Sequence, residues 1–343
     1  MTGPLGNLDV TNPVLAAPMA GGPTTPSMVV ASARAGSLGF LAGGYKTADL
    51  LEEQIREVRV STPTFGVNLF VPNPVPVDPD AYRRYATSIQ VEADRYGLNL
   101  VDTSPVEDDD HWQSKVDVLL ADPVPVVSFT FGIPEPSVMA AIRRSGSLVI
   151  QTVTSLEEAQ LAVEAGVDML AVQGPGAGGH FGTLTPQDLS EHVPLTMLVR
   201  QLRQVIGLPL AAAGGLATSI DIGAVLREGV DAVMVGTVLL RTNESGASTP
   251  HKRALVESID RQTIVTRAFT GRPARALPNV FTDRFHALAP SGYPALHHLT
   301  SPLRKAAAAA DDPERINLWA GTGYRFAREE STTDTLLRLT EML

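Results

Sequence analysis

Gln173-Gly174-Pro175-Gly176-Ala177-Gly178-Gly179-His180-Phe181-Gly182 decides between two folds. Gly174, Gly176 and Gly179 satisfy the dinucleotide fingerprint G-x-G-x-x-G, but that fingerprint works only where an amphipathic helix begins at once. Here Phe181-Gly182-Thr183-Leu184-Thr185-Pro186 follows, which reads as loop. The glycines are therefore taken as a strand-end loop whose bare backbone lets a ligand approach closely. A single imidazole, His180, closes it.

Working outward, the same strand-then-loop unit recurs. Short runs rich in Val, Leu and Ala predict strands at 14–19, 38–42, 65–69, 124–129, 148–152, 169–173, 209–213 and 232–235. Helical periodicity fills the intervals, as in Ser155-Leu156-Glu157-Glu158-Ala159, an N-cap with acidic first-turn residues, and helices close on Gly166, Gly207 or Gly229. Eight such units predict an α/β fold, a (β/α)8 TIM barrel with a smaller C-terminal cap domain. Ala165-Gly166-Val167-Asp168 and Glu228-Gly229-Val230-Asp231 mark equivalent helix-to-strand turns.

A barrel takes about 250 residues, so 343 leave room for an appendage. The expected division is 1–245 for the barrel, 246–304 for the cap and 305–343 for helices returning to the barrel, the last over 323–343. The cap segment carries His251, Arg267, Arg272, Arg275, Tyr293, His297 and His298. Two stretches break the rhythm, the Pro-rich 71–80 and the acidic 107–110, and both read as solvated surface excursions.

Composition removes several function classes. The net charge is −10, and the lysines are only Lys46, Lys115, Lys252 and Lys305, which argues against nucleic acid as a partner. There is no cysteine, hence no disulfide, thiolate metal site or thiol nucleophile. The histidines show no metal-ligand spacing, so no metal is expected. The first ten residues lack a basic start and an apolar run, and no apolar stretch approaches about 18 residues, so the expected location is cytoplasmic, with no membrane partner. These patterns select neither a monomer nor a homo-oligomer.

Barrel chemistry sits on the loops that follow the strands. Ala213-Gly214-Gly215 and Val235-Gly236-Thr237 end the last two strands, where barrels bind phosphate through loop amides and the N-terminus of the following helix. Ala17-Pro18-Met19 and Asn68 end the first and third, where they could meet the face and edge of a flat ring. Tyr45, Phe131, Tyr293 and His298 are expected to set the pocket size.

Ala17-Pro18-Met19, Gly66-Val67-Asn68, the 173–182 segment, Ala213-Gly214-Gly215, Val235-Gly236-Thr237, Phe269-Thr270-Gly271-Arg272-Pro273-Ala274-Arg275 and Trp319-Ala320-Gly321 together resemble the nitronate monooxygenase family. The resemblance implies FMN across the barrel mouth, its phosphate on Gly214, Gly215, Gly236 and Thr237. Ala17, Met19, Asn68 and Gln173 would then line the ring, with Gly178 and Gly179 beside it and His180 facing the substrate as catalytic residue. The implied reaction takes an alkyl nitronate, such as propionate 3-nitronate, and O2 to a carbonyl product and nitrite. Gly176 stands where family members commonly carry Glu.

Three other readings stay open. The same fold with FMN could serve as an NAD(P)H:quinone or enoyl-thioester reductase. A flavin-free lyase or aldolase would use Lys46 as a Schiff base, although Lys46 is expected to point to solvent at a helix start. A non-catalytic flavin binder would have no need of His180.

Overall fold

The structure is a computed structural model describing residues 5–187 and 193–343. In chain order its strands are β1 (Val14–Ala16), β2 (Phe40–Ala42), β3 (Gly66–Phe70), β4 (Val126–Thr130), β5 (Leu148–Val153), β6 (Met169–Gln173), β7 (Gly179–His180), β8 (Leu210–Ala213), β9 (Ala232–Val235), β10 (Ile264–Thr266) and β11 (Ala274–Ala276). The helices are α1 (Pro26–Arg34), α2 (Ala48–Ser61), α3 (Pro79–Ala93), α4 (Trp112–Ala121), α5 (Pro136–Arg144), α6 (Leu156–Glu164), α7 (Leu195–Arg203), α8 (Ser219–Leu226), α9 (Thr249–Glu257), α10 (Val280–Phe285), α11 (Ala295–Ala309) and α12 (Thr332–Arg338).

Eight strands pair in parallel in the order β1-β9-β8-β6-β5-β4-β3-β2. The Ala16–Gly39 bridge and the bond from the Ala16 N–H to the Leu38 carbonyl, 3.0 Å, bring β1 back to β2 and close the barrel. All eight predicted strands are present, with ends moved by up to three residues. Side-chain alternation sorts the layers. Val67, Leu69, Val127, Leu170 and Val172 pack outward under the helices, whereas Leu15, Phe40, Val126, Ile150 and Met169 fill the barrel floor. Toward the C-terminal ends the inward positions turn small or polar, as Ala171, Asn68, Ser128, Thr152 and Gln173, and there the barrel opens into a cavity.

The two repeated turns have a shared cause. Asp168 accepts from the Val149 N–H and Asp231 from the Leu210 N–H, each at 2.9 Å, while Arg143 and Arg203 pair with them at 2.9 and 2.5 Å. Each Asp thus satisfies an amide at the start of a neighbouring strand, the second of β5 and the first of β8. Gly166 and Gly229 supply the positive φ that ends the preceding helix, 83° and 94°.

Four expectations change. The 323–343 segment is not one helix: a 3-10 turn at Tyr324–Phe326 ends in extended Ala327, and α12 starts only after the Ser331 cap. Helix α11 runs through position 304 to Ala309 and absorbs the alanine run. The excursion after β3 contains α3, whose Tyr82, Tyr85 and Ile89 share a core with Phe269, Phe281, Leu296 and Leu299, so the second core joins two distant stretches of chain. The acidic 107–110 stretch is not merely solvated, because Asp110 accepts from the Tyr45 N–H at 2.9 Å and pairs with the buried Lys115 at 2.8 Å. Among the described residues, no helix is long and apolar enough to cross a membrane.

Candidate active site

The cavity at the barrel mouth measures about 1170 Å³, and every cofactor or catalytic residue expected from the sequence lines it. On one side lie the turns after β8 and β9. Gly214 adopts φ 116°, and a Cβ there would stand 2.6 Å from the Gly174 carbonyl oxygen, so only glycine fits. At the start of α8 the Asp221 carboxylate accepts from the Thr218 N–H at 3.1 Å within a capping box.

Two further lining side chains, Asn68 and Met19, stand on β3 and just after β1. The Asn68 amide nitrogen donates to Ser128 Oγ at 2.9 Å and Thr130 Oγ1 at 3.1 Å, which aims the side chain from a fixed strand position. Met19 is pinned through its N–H to Thr24 Oγ1 at 2.9 Å, and its sulfur lies beside Gly236. Gln173 also lines the cavity, and its amide is engaged by the chain itself. It donates to the His180 carbonyl at 3.2 Å and accepts from the Gly182 N–H at 2.8 Å, so it braces the glycine loop.

Tertiary pairing turns the end of that loop into strand. Gly179 and His180 form β7 and pair antiparallel with Arg275 and Ala274 of β11, while Arg275 Nε donates to the Pro175 carbonyl at 2.7 Å. A Cβ at Gly176 would lie 2.9 Å from Thr322 Oγ1 and 3.2 Å from the Gly215 backbone. The loop after Trp319 occupies that space and bonds back through Thr322 N–H to the Gly176 carbonyl at 3.0 Å. The departure at 176 thus has a steric reason here.

His180 sits among aromatic rings. Trp319, Phe131 and Tyr293 have centroids 5.4, 5.8 and 5.9 Å from its own. Burial first, then Arg272 and Arg304, push its pKa down to about 3, so the imidazole is neutral at ordinary pH. Arg272 is wholly buried, stacked 3.9 Å over Phe131, with Nη1 unpartnered. Arg304 lines the cavity and bonds Thr300, Asn317 and His297. Neither guanidinium forms an ion pair among the described residues; both are held by hydrogen bonds to neutral groups. His297 stacks on Tyr45 at 4.0 Å, and Tyr293 Oη donates to Tyr45 Oη at 3.2 Å, bringing the expected pocket aromatics together.

Lys46 lines the cavity instead of pointing to solvent. Its Nζ donates to Gln54 Oε1 at 2.5 Å, and burial, then Lys115, lowers its pKa to about 8. The sequence reading had left Thr270, Arg304 and Trp319 without roles. Two of them lay in the quoted motifs, and Arg304 carried no local signal.

Glu158, named only as a first-turn residue, proves to anchor the loop beyond His180. Its carboxylate accepts from Thr154 Oγ1, Thr183 Oγ1 and the Leu184 N–H at 2.8, 2.7 and 2.7 Å. Glu158→Ala will strand these donors and lower unfolding free energy by about 3 kcal/mol; an unchanged urea midpoint would refute the anchor.

The histidines also set a pH response. Burial lowers His180 to about 3 and His251 to about 4, against an ordinary 6.5. The unfolded chain therefore binds more protons below pH 6.5. Their contribution is complete above 6.5 and is lost as pH falls toward about 4 for His251 and about 3 for His180, by up to about 1.4 kcal/mol per pH unit for each residue. Urea midpoints at pH 7 and 5.5 should fall, and less steeply in His251→Gln.

A neutral imidazole beside two guanidiniums in an aromatic-lined barrel mouth fits the class of barrel oxidoreductases that borrow a cofactor for the redox step. The nitronate monooxygenase family model matches residues 4–341. A Bacillus subtilis protein named "Probable nitronate monooxygenase" is 33% identical over 334 residues, 96% of this chain and 94% of that one. A Staphylococcus saprophyticus protein of the same name is 34% identical, covering 95% and 93%. The crystal structure of nitroalkane oxidase from Streptomyces ansochromogenes superposes with a TM-score of 0.90 at 45% identity, covering 97% of this chain and 96% of that one. The chain belongs to the nitronate monooxygenase family and is an oxidoreductase.

Proposed function

We propose that the chain is an FMN-dependent nitronate monooxygenase, oxidising alkyl nitronates such as propionate 3-nitronate with O2 to a carbonyl product and nitrite. The observation that carries the substrate reading is the pair of guanidiniums, Arg272 and Arg304, that act on a neutral His180 and form no ion pair among the described residues. A site that leaves two cations unpaired favours an anion, which a nitronate is.

The residues present fit FMN. Backbone at Gly214, Gly215, Gly236 and Thr237 would take its phosphate, and Ala17, Met19, Asn68, Gly178 and Gly179 would lie against the ring. FMN, when bound, supplies electron transfer from substrate to O2. The chain's own part is to orient the substrate over the ring, exclude water with Phe131, Tyr293 and Trp319, and place His180 at the α-carbon. We assign residues 246–304, together with α3, to a cap over the mouth, supported by their shared core.

The test is the visible spectrum of purified protein followed by nitrite release from propionate 3-nitronate under air. Absorbance near about 450 nm with aerobic nitrite supports the reading. Anaerobic bleaching by NADH without nitrite release would favour the reductase, and a colourless protein would return attention to Lys46.

A further inference from the structure

The segment that wraps His180 holds a hydroxyl whose hydrogen bonds determine what the imidazole can do. Thr270 Oγ1 lies 2.9 Å from His180 Nε2 and 3.2 Å from the Arg272 carbonyl oxygen. A threonine hydroxyl has one proton to give, and both neighbours cannot receive it. The Arg272 carbonyl can only accept, it is buried, and no other donor to it is recorded among the described residues. Leaving it empty would cost about 1–3 kcal/mol. The proton therefore goes to the carbonyl, and Thr270 Oγ1 must accept from Nε2–H.

We propose that Thr270 is a positioning residue that fixes His180 as the Nε2–H tautomer and presents the Nδ1 lone pair to the cavity. Nδ1 has no hydrogen-bond partner among the described residues, and the ring lines the cavity. His180 is then a proton acceptor toward the α-carbon of a neutral nitroalkane. The C–H electron pair moves onto the nitro group to form the nitronate, whose charge Arg272 and Arg304 meet, and the proton rests on Nδ1. This rests on the proposed function in taking His180 as the group at the substrate.

The hydroxyl is held rigidly enough for the role. Thr270 and Gly271 N–H both donate to the Arg267 carbonyl, at 3.2 and 2.8 Å, and Thr300 Oγ1 donates to the Phe269 carbonyl. Gly271 packs directly on the Gly292 backbone, with φ 75°. On the other side, β7 pairing and Gln173 fix the His180 backbone. The His180–Thr270 distance is thus set by two braced segments 90 residues apart.

The experiment compares Thr270→Val and Thr270→Ser holoenzymes, with 15N-histidine correlation spectra assigned through His180→Asn. Wild type and Thr270→Ser should show the Nε2–H pattern at His180. Thr270→Val, which keeps the shape, should lose it and turn over neutral nitroethane about tenfold more slowly. KM and FMN content should hold, and turnover of pre-formed ethyl nitronate should fall less. An unchanged His180 spectrum in Thr270→Val overturns the proposal whatever the rate does, as does a Thr270→Ser spectrum matching that of Val. A lost pattern with undiminished nitroethane turnover supports the positioning role and instead defeats the assignment of His180 to proton transfer.

Discussion

Replacing His180 with Asn will lower turnover of a neutral nitroalkane by about two orders of magnitude or more, while FMN stays bound. Asn keeps a polar side chain near the same volume, so Phe131, Tyr293 and Trp319 need not repack around a void. It has no basic nitrogen, so the α-proton loses the acceptor that the ring of His180 offers at that position. Tyr45 cannot substitute, because burial pushes its pKa up to about 12 and it is not a phenolate at working pH. Flavin absorbance and the kcat for nitroethane are the measurements, and an unchanged kcat would remove His180 from the mechanism. A substrate supplied as its nitronate has already lost the proton, so its rate should fall less.

The second large effect concerns the turn after β8, proposed to hold the FMN phosphate. Gly214→Ala puts an L side chain at φ 116° and drives its Cβ to within 2.6 Å of the Gly174 carbonyl oxygen. The obstacle is backbone at the root of the glycine loop, so the clash is relieved only by moving β6 or β8. Unfolding free energy should fall by about 3 kcal/mol or more. Because the same turn presents the loop amides, the protein should also purify with little FMN. Urea midpoint and flavin content report the two consequences separately; a variant with wild-type values for both would show the turn to be tolerant.

Much of the architecture was legible because it is local. A parallel strand covered on its outer face needs a run such as Met169-Leu170-Ala171-Val172-Gln173, and the following helix needs a cap such as Ser155. Each signal sits within a few residues of the element it specifies. The glycines of the turns after β8 and β9 were legible as close-approach positions for the same reason: a positive φ or close backbone approach leaves its mark on the residue itself.

The second core was not legible. Tyr85 donates to the Ala268 carbonyl, and buried Glu92 joins Arg284 and Arg315, contacts spanning most of the chain. Nothing near Tyr85 or Glu92 names those partners. Lys46 and Asp110 misled for a related reason, since a charged residue in a loop reads as solvated unless one knows which other loop covers it.

By itself the sequence determined the eight βα units, the exclusion of the Rossmann reading and the glycine turns that face the cavity, because backbone conformation and hydrophobic period are properties of adjacent residues. Only the tertiary structure decided that Gln173 braces the loop, that Thr322 fills the space beside Gly176, and that Thr270 meets His180 while two arginines surround it unpaired. Those outcomes depend on distance, desolvation and the one proton a hydroxyl can donate, none of which exists until the chain has closed on itself.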